Sequence, residues 1–300
     1  MKTSGSQQID FKVDLAGRSD LVFAGHYYPA RPPERGLLQV LVHGNTYDHR
    51  YWDAGRIDGH DYSYAQYMTE RGYAVLAMDL PGTGSSSKPD GDSVDLDSVG
   101  RALTSVISIV RQPGGPLDAL VERVALVGHS LGAIVSIYTQ ASWQAADFLI
   151  ATGVGALAPP GPTPFGAAVF DDALSREYVS LPASARRRVF YHLPTADPEV
   201  ISFDNTYLRT TMPRQLYKDA FAARADLTKS RAPDVLCPVY VQLGEHDPIA
   251  PGSSASRERE CWARSAEVTV EELNDIGHCF NLHINREEGW EAIDQYLARH

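Results

Sequence analysis

The sequence predicts an α/β fold, a mostly parallel twisted sheet with helices on both faces, interrupted once by a helical insertion. Three observations point there. A β-rich start gives way to short apolar runs that alternate with stretches of helical periodicity, as in a parallel sheet covered on both sides. One alternation, Arg123 to Val135, passes from strand to helix through Gly128-His129-Ser130-Leu131-Gly132 with no breaker. From about residue 154 to 233 the composition shifts to Pro- and Gly-rich turns between helical pieces, with no strand pattern.

In chain order, residues about 9–15 and 20–28 read as a half-exposed hairpin, because Phe11, Val13 and Leu15 alternate with charged residues. Leu37 to Val42 is a buried strand ending at His43-Gly44-Asn45. The loop from Thr46 to Asp53 is rich in aromatic and polar side chains. A helix from Tyr62 to Arg71 is closed by Gly72, and the strand Tyr73 to Asp79 runs into Leu80-Pro81-Gly82-Thr83-Gly84-Ser85. No G-K-[ST] follows those glycines, so they do not form a phosphate loop. Val99, Leu103, Val106, Ile107 and Val110 mark one face of a helix over 96–110. Phe148 to Gly153 is a further buried strand. Helical pieces are expected near 169–180, 183–191, 197–209 and 213–225, with Arg186-Arg187-Arg188 on a solvated face. The sheet resumes at Cys237 to Gly244. A helix over 255–265, a strand over 268–273 and a closing helix over 283–299 follow, with Ile284, Trp290, Ile293 and Leu297 inward.

Composition excludes several functions. At 43% apolar, 300 residues bury a sizeable core. A net charge of −11 argues against nucleic acid and anionic membrane surfaces as partners and says little about substrate. Cys237, Cys261 and Cys279 are few, odd in number and not in a C-x-x-C pair, so neither a disulfide framework nor a zinc site is signalled. The polar start lacks a signal-peptide core, and no run of about 18 apolar residues suggests a membrane span. The expected location is the cytoplasm. No His, Asp or Glu cluster shows metal-ligand spacing, so catalysis is expected to need neither metal nor cofactor. Oligomeric state is not legible.

Gly128-His129-Ser130-Leu131-Gly132 resembles the nucleophile elbow of the α/β-hydrolase superfamily. Side chains at the two glycines would collide across such a turn, and the serine is held in a strained backbone conformation. The Leu131 N–H then points at whatever the hydroxyl attacks. Four further segments share the resemblance: His43-Gly44, the Asp79-x-Pro81-Gly82-x-Gly84 turn, Gly244-Glu245-His246-Asp247-Pro248-Ile249, and Gly277-His278 near the C-terminus. Together they cover about 30–150 and 235–300.

The resemblance implies an eight-stranded sheet, a core domain of residues 1–153 and 234–300, and a helical cap over 154–233. It also implies Ser130 as nucleophile, Asp247 as the acid with Glu245 as the alternative, and His278 as general base. The N–H groups of Asn45 and Leu131 would form the oxyanion hole. His43 and Asp79 are read as structural, and Cys279 as no nucleophile. His129 is either packed against neighbouring loops or a substrate contact. Tyr47, Phe165 and Tyr207 are further candidate contacts.

The expected chemistry follows from these residue types. A free serine hydroxyl is a poor nucleophile, so a histidine must take its proton during attack and return it to the leaving group, while an aspartate orients the imidazole. The leading expectation is a serine hydrolase that cleaves an ester, lactone or thioester of a small, fairly apolar molecule through an acyl-enzyme. Acyl transfer or cyclisation from the same intermediate is one alternative, and a non-catalytic receptor of the same fold is another. Serine at the elbow, where epoxide hydrolases and haloalkane dehalogenases of this fold carry aspartate, argues against those two activities. Relatives of haloperoxidase type keep the serine triad.

Overall fold

The computed structural model describes residues 5–15, 17–117, 121–159 and 161–300. The polar start at Met1–Ser4 and Pro160 of the Pro-rich run lie outside the described residues. The elements in order are β1 (Gln7–Lys12), β2 (Val22–Tyr28), β3 (Leu37–Val42), β4 (Asp53–Ile57), β5 (His60–Ser63), α1 (Tyr64–Thr69), β6 (Ala74–Met78), α2 (Leu96–Val110), β7 (Arg123–His129), α3 (Leu131–Trp143) and β8 (Phe148–Thr152). Then come α4 (Ala167–Leu174), β9 (Tyr178–Val179), α5 (Ala183–Phe190), α6 (Pro198–Phe203), β10 (Met212–Pro213), α7 (Arg214–Ala225) and α8 (Leu227–Ser230). The chain closes with β11 (Val239–Gly244), α9 (Ala255–Arg259), β12 (Val268–Leu273) and α10 (Arg286–Arg299).

Eight strands form one sheet in the order β1-β2-β6-β3-β7-β8-β11-β12. Only β2 runs against its neighbours; the pairs from β6 to β12 are all parallel. The central strands are buried on both faces, which is why β3, β6 and β8 read as continuous apolar runs. Helices cover the sheet in two pairs, α2 against α3 and α1 against α10. Register sets the site. Val42 stands opposite Gly128, His129 opposite Thr152, and Gly244 opposite Leu273. The C-terminal ends of β3, β7, β8, β11 and β12 therefore share one edge, where a parallel sheet collects its functional loops.

Several expectations are corrected. The predicted loop and early helix contain the β4–β5 hairpin, and the helix starts only at Tyr64. Its turn residues Asp58 and Gly59 both have positive φ, as a tight hairpin turn demands, but half-exposed polar strands leave no apolar alternation to read. The inserted segment carries strand pairing after all, in the two-residue bridge of β9 with β10. The helix expected over 255–265 ends at Arg259. Arg186 is fully buried rather than solvated, because Asp204, also fully buried, pairs with it at 2.6 Å. Ile284 precedes α10 and is exposed, not inward. No helix among the described residues is long and apolar enough to cross a membrane.

Candidate active site

Ser130 sits between the last residue of β7 and the first of α3 with φ 54° and ψ −119°. A non-glycine residue in this region costs on the order of 1–3 kcal/mol and persists only where the surroundings over-determine it. Those surroundings are visible. The Ser130 N–H donates to the Thr152 carbonyl at 2.9 Å. A Cβ on Gly128 would strike the backbone of Gly132 and Ala133, and one on Gly132 would strike the carbonyl oxygens of Val42 and His43. The turn can therefore be this tight only with glycine at both places.

His278 Nε2 lies 2.7 Å from Ser130 Oγ, and His278 Nδ1 lies 2.8 Å from Asp247 Oδ2. The other oxygen of Asp247, Oδ1, accepts the N–H groups of Ile249 at 2.7 Å and Ala250 at 3.2 Å. Asp247 and His278 are each 1% exposed, so the carboxylate faces the imidazole without competing water. That arrangement can move a proton from the serine hydroxyl to the histidine and hold the cation that forms. Glu245, the alternative acid, is half-exposed and accepts the Asp275 N–H instead.

Asn45 and Leu131 both line the cavity next to Ser130. Leu131 is the first residue of α3, so its N–H has no helical acceptor, and the helix N-terminus favours negative charge there. The loop bearing Asn45 is fixed from outside. Thr46, at φ 60°, donates its hydroxyl to the Asn45 carbonyl at 2.7 Å and accepts Arg186 Nη1 at 2.6 Å. Thr210 of the inserted segment donates to the Thr46 and Tyr47 carbonyls, each at 2.8 Å.

The cavity has apolar walls and a free volume of about 50 Å³, room for a few waters. Leu131 and Ile134 of α3 form one side; Phe165, Phe190 and Phe221 of the inserted segment form another. Phe190 also lies 5.3 Å from the His278 ring, centroid to centroid.

Phe165 thus stands where a substrate contact was expected, but three other candidate contacts do not. Tyr47 is buried and donates to or accepts from Cys279 Sγ at 3.1 Å, with its ring against Tyr51 and Phe190, outside the cavity. His129 is fully buried beneath the site, stacked on Tyr51 at 4.4 Å with Nδ1 3.1 Å from Thr152 Oγ1. Burial, and then the neighbouring His278, hold the His129 imidazole well below its usual titration range, so it is neutral. Tyr207 is 55% exposed and packs on Phe203 on another face.

Sequence reasoning missed Phe190, Phe221, Arg224 and Ile249 of the lining. A signal for part of this set existed. Tyr217, Ala220, Phe221 and Arg224 fall at i, i+3, i+4 and i+7 on α7, one helical face with a single cation in it.

The structural residues are well satisfied. His43 Nε2 accepts the Leu80 N–H at 3.0 Å, and burial pushes this imidazole below its usual range. Cys279 is fully buried, and burial raises its thiol well above the ordinary range, which leaves it unreactive. Among the described residues, two side-chain groups do bring metal-ligand atoms together, against expectation: His26 with His49 and Asp79, and His192 with His246 and Asp275. In the first group Asp79 already accepts His26 Nε2, His49 Nδ1 and the N–H groups of His49 and Ser85. Burial works against the Asp79 charge, but these hydrogen bonds win and hold it well below the usual carboxylate range. It braces the loop after β6.

A model of the Alpha/beta hydrolase family matches residues 39–288. No curated protein matches the sequence. Among solved structures, a soluble variant of monoglyceride lipase from Saccharomyces cerevisiae superposes with a TM-score of 0.74 at 16% identity, over 100% of this chain and 97% of that one. A hydrolase from Pseudomonas aeruginosa gives 0.69 at 21% identity, over 98% and 99%. An esterase from Thermogutta terrifontis gives 0.66 at 19% identity, over 98% of each chain.

Proposed function

Since the chain belongs to the alpha/beta hydrolase family, we propose that it is a serine hydrolase of carboxylic esters, lactones or thioesters, working through an acyl-enzyme on Ser130. One observation carries this reading: His278, buried together with Asp247, bridges that carboxylate and Ser130 with two short hydrogen bonds. Ser130 Oγ attacks the substrate carbonyl carbon while its proton passes to His278 Nε2. The Asn45 and Leu131 N–H groups stabilise the oxyanion, each such donor being worth about 10²–10³ in rate. The carbon–leaving-group bond breaks and His278 returns the proton to the leaving group. Water then attacks the acyl-enzyme, gives its proton to His278, and Ser130 leaves with that proton as the acid is released. In this reading residues 154–233 act as a cap that shapes the pocket and admits substrate. The esterase and lipase among the structural neighbours support the choice of ester bonds.

The test is Ser130→Ala assayed on a panel of p-nitrophenyl esters. Turnover is expected to fall by about 10⁴-fold or more, and a fluorophosphonate probe to label the wild type but not the variant. Unchanged turnover in Ser130→Ala sinks the mechanism. The small, mainly apolar cavity also favours a second reading, transfer of the acyl group to an alcohol or amine in place of water. Mass spectrometry of products formed with added nucleophiles separates the two.

A further inference from the structure

Arg224 is a cation in the wall of the Ser130 cavity. It lies at the C-terminal end of α7 and is only 7% exposed. Its one side-chain hydrogen bond runs from Nη2 to the Ile249 carbonyl at 3.1 Å, and its Nε is buried with no partner. No carboxylate among the described residues lies within ion-pair distance of it. The two acids whose fields reach it are Asp247 and Glu258, and both are engaged elsewhere. Asp247 serves His278 and two backbone N–H groups. Glu258 accepts Ala156 N–H at 2.8 Å and Trp262 Nε1 at 2.9 Å, and burial raises its pKa.

The contrast with the other buried arginine is informative. Arg186 has its own carboxylate in Asp204, with Tyr191 donating to the second oxygen of that carboxylate. Arg224 is nearly as buried and has no such counter-charge among the described residues. A guanidinium stays protonated inside a protein, so burial costs Arg224 its hydration with only one carbonyl hydrogen bond in return. Burial is the main influence on Arg224 and works against its charge. Buried charges of this kind are normally paired. The cavity that also holds the nucleophile is open to such a partner.

We propose that Arg224 is the counter-ion for a carboxylate carried by the substrate, so that the enzyme's substrates are acidic esters, lactones or thioesters rather than neutral lipids. The proposal rests on hydrolysis at Ser130 for its consequence, though not for its binding geometry. A carboxylate accepts two N–H donors from a guanidinium in a planar fork, and the apolar wall around Arg224 strengthens that pairing by excluding water. The wall contacts the rest of the molecule while Arg224 holds one end, so the carboxylate fixes where the scissile carbonyl sits relative to Ser130. Because Arg224 touches Ile249, two residues beyond Asp247, the anion also closes against the loop that carries the acid.

The experiment compares matched ester pairs on the wild-type protein. One series bears the charge on the acyl side: mono-p-nitrophenyl glutarate and adipate against their methyl esters. The other bears it on the alcohol side: 4-acetoxybenzoate against its methyl ester. The acidic member is expected to have a kcat/KM at least tenfold higher in one series. If the neutral member equals or outruns it in both, the proposal is overturned, while measurable cleavage leaves hydrolysis standing. In Arg224→Met the acidic-to-neutral ratio is expected to collapse by tenfold or more, and in Arg224→Lys to recover in part. An unchanged ratio in Arg224→Met overturns the proposal whatever the absolute rates. Binding is read without turnover in Ser130→Ala, which glutarate is expected to stabilise thermally, and in Ser130→Ala/Arg224→Met, which it is not. Stabilisation of both proteins, or of neither, overturns the carboxylate site. Stabilisation of the first alone with no ester cleaved removes the hydrolase reading and keeps the site.

Discussion

Ser130 carries a strained φ because each neighbour removes an alternative. Its N–H is tied to Thr152, and the chain on either side is pinned by strand pairing and by the first turn of α3. Gly132 shows how little room remains. Its added methyl would meet the carbonyl oxygens of Val42 and His43, and these cannot retreat without breaking the β3–β7 ladder. Gly132→Ala is therefore expected to destabilise the protein by about 2–3 kcal/mol, read as a lower urea midpoint. A midpoint equal to wild type contradicts the steric account. At this scale the sequence was most legible. The spacing of glycines around a serine reports a local clash, and a local clash needs no knowledge of distant residues.

Between elements, the inserted segment is bound to the loop that carries Asn45 through Arg186. This side chain spans from Asp204, beyond α6, to Thr46, with its guanidinium over the Tyr47 and Phe190 rings. Removing one partner of a buried pair strands the other, so Arg186→Met is expected to cost about 3–5 kcal/mol by denaturant unfolding. The double variant Arg186→Met/Asp204→Leu is expected to recover part of that loss, because no uncompensated charge is left. Since Thr46 loses a donor in both variants, kcat is expected to stay depressed in the double variant even where stability returns. Recovery of kcat together with stability would show that Arg186 acts on folding alone. The run Arg186-Arg187-Arg188 reads as a solvated face in sequence because three adjacent cations usually are one. Which of them turns inward depends on where Asp204 lands, and nothing near Arg186 in the chain encodes that.

For the molecule as a whole, three buried histidines set the acid response. His43, His129 and His283 all have pKa values lowered chiefly by burial, that of His283 to about 4. His283 shows the reason in its bonds. Its Nε2 accepts the N–H groups of His192 and Gly277, each at 3.1 Å, and a proton there would break both. A pKa lower when folded than when unfolded means that the unfolded chain binds more protons between the two values. Stability contributed by His283 is thus complete above about pH 6.5 and lost as pH falls toward about 4. Each such group contributes up to about 1.4 kcal/mol per pH unit in that window. Unfolding free energy is expected to drop from pH 7 to pH 5, with a shallower slope in His283→Gln. A flat profile over that range contradicts the assignment. Asp79 and other depressed carboxylates enter only at lower pH, while Glu258, whose pKa burial raises, works in the opposite sense, so the difference between wild type and His283→Gln is what reads His283.

The sequence by itself determined the sheet, the turn at Ser130, and the candidates Asp247 and His278. The sheet and the turn follow from short patterns, apolar runs and a serine between two glycines, whereas Asp247 and His278 are implied by the resemblance of Gly244 to Ile249 and of Gly277-His278 to the alpha/beta hydrolase family. Parallel strands place the residues that follow them on one edge whatever lies between, so residues 117 and 31 positions apart converge without further information. Only the tertiary structure decided what surrounds the serine. It withdrew Tyr47, His129 and Tyr207 from the cavity and brought in Phe190 and Arg224. The physical reason is that an inserted helix can bury more than one face, and the face it buries is chosen by non-local packing. Arg224 makes the point, since its charge has meaning only once its buried, unpartnered Nε in the cavity wall is seen.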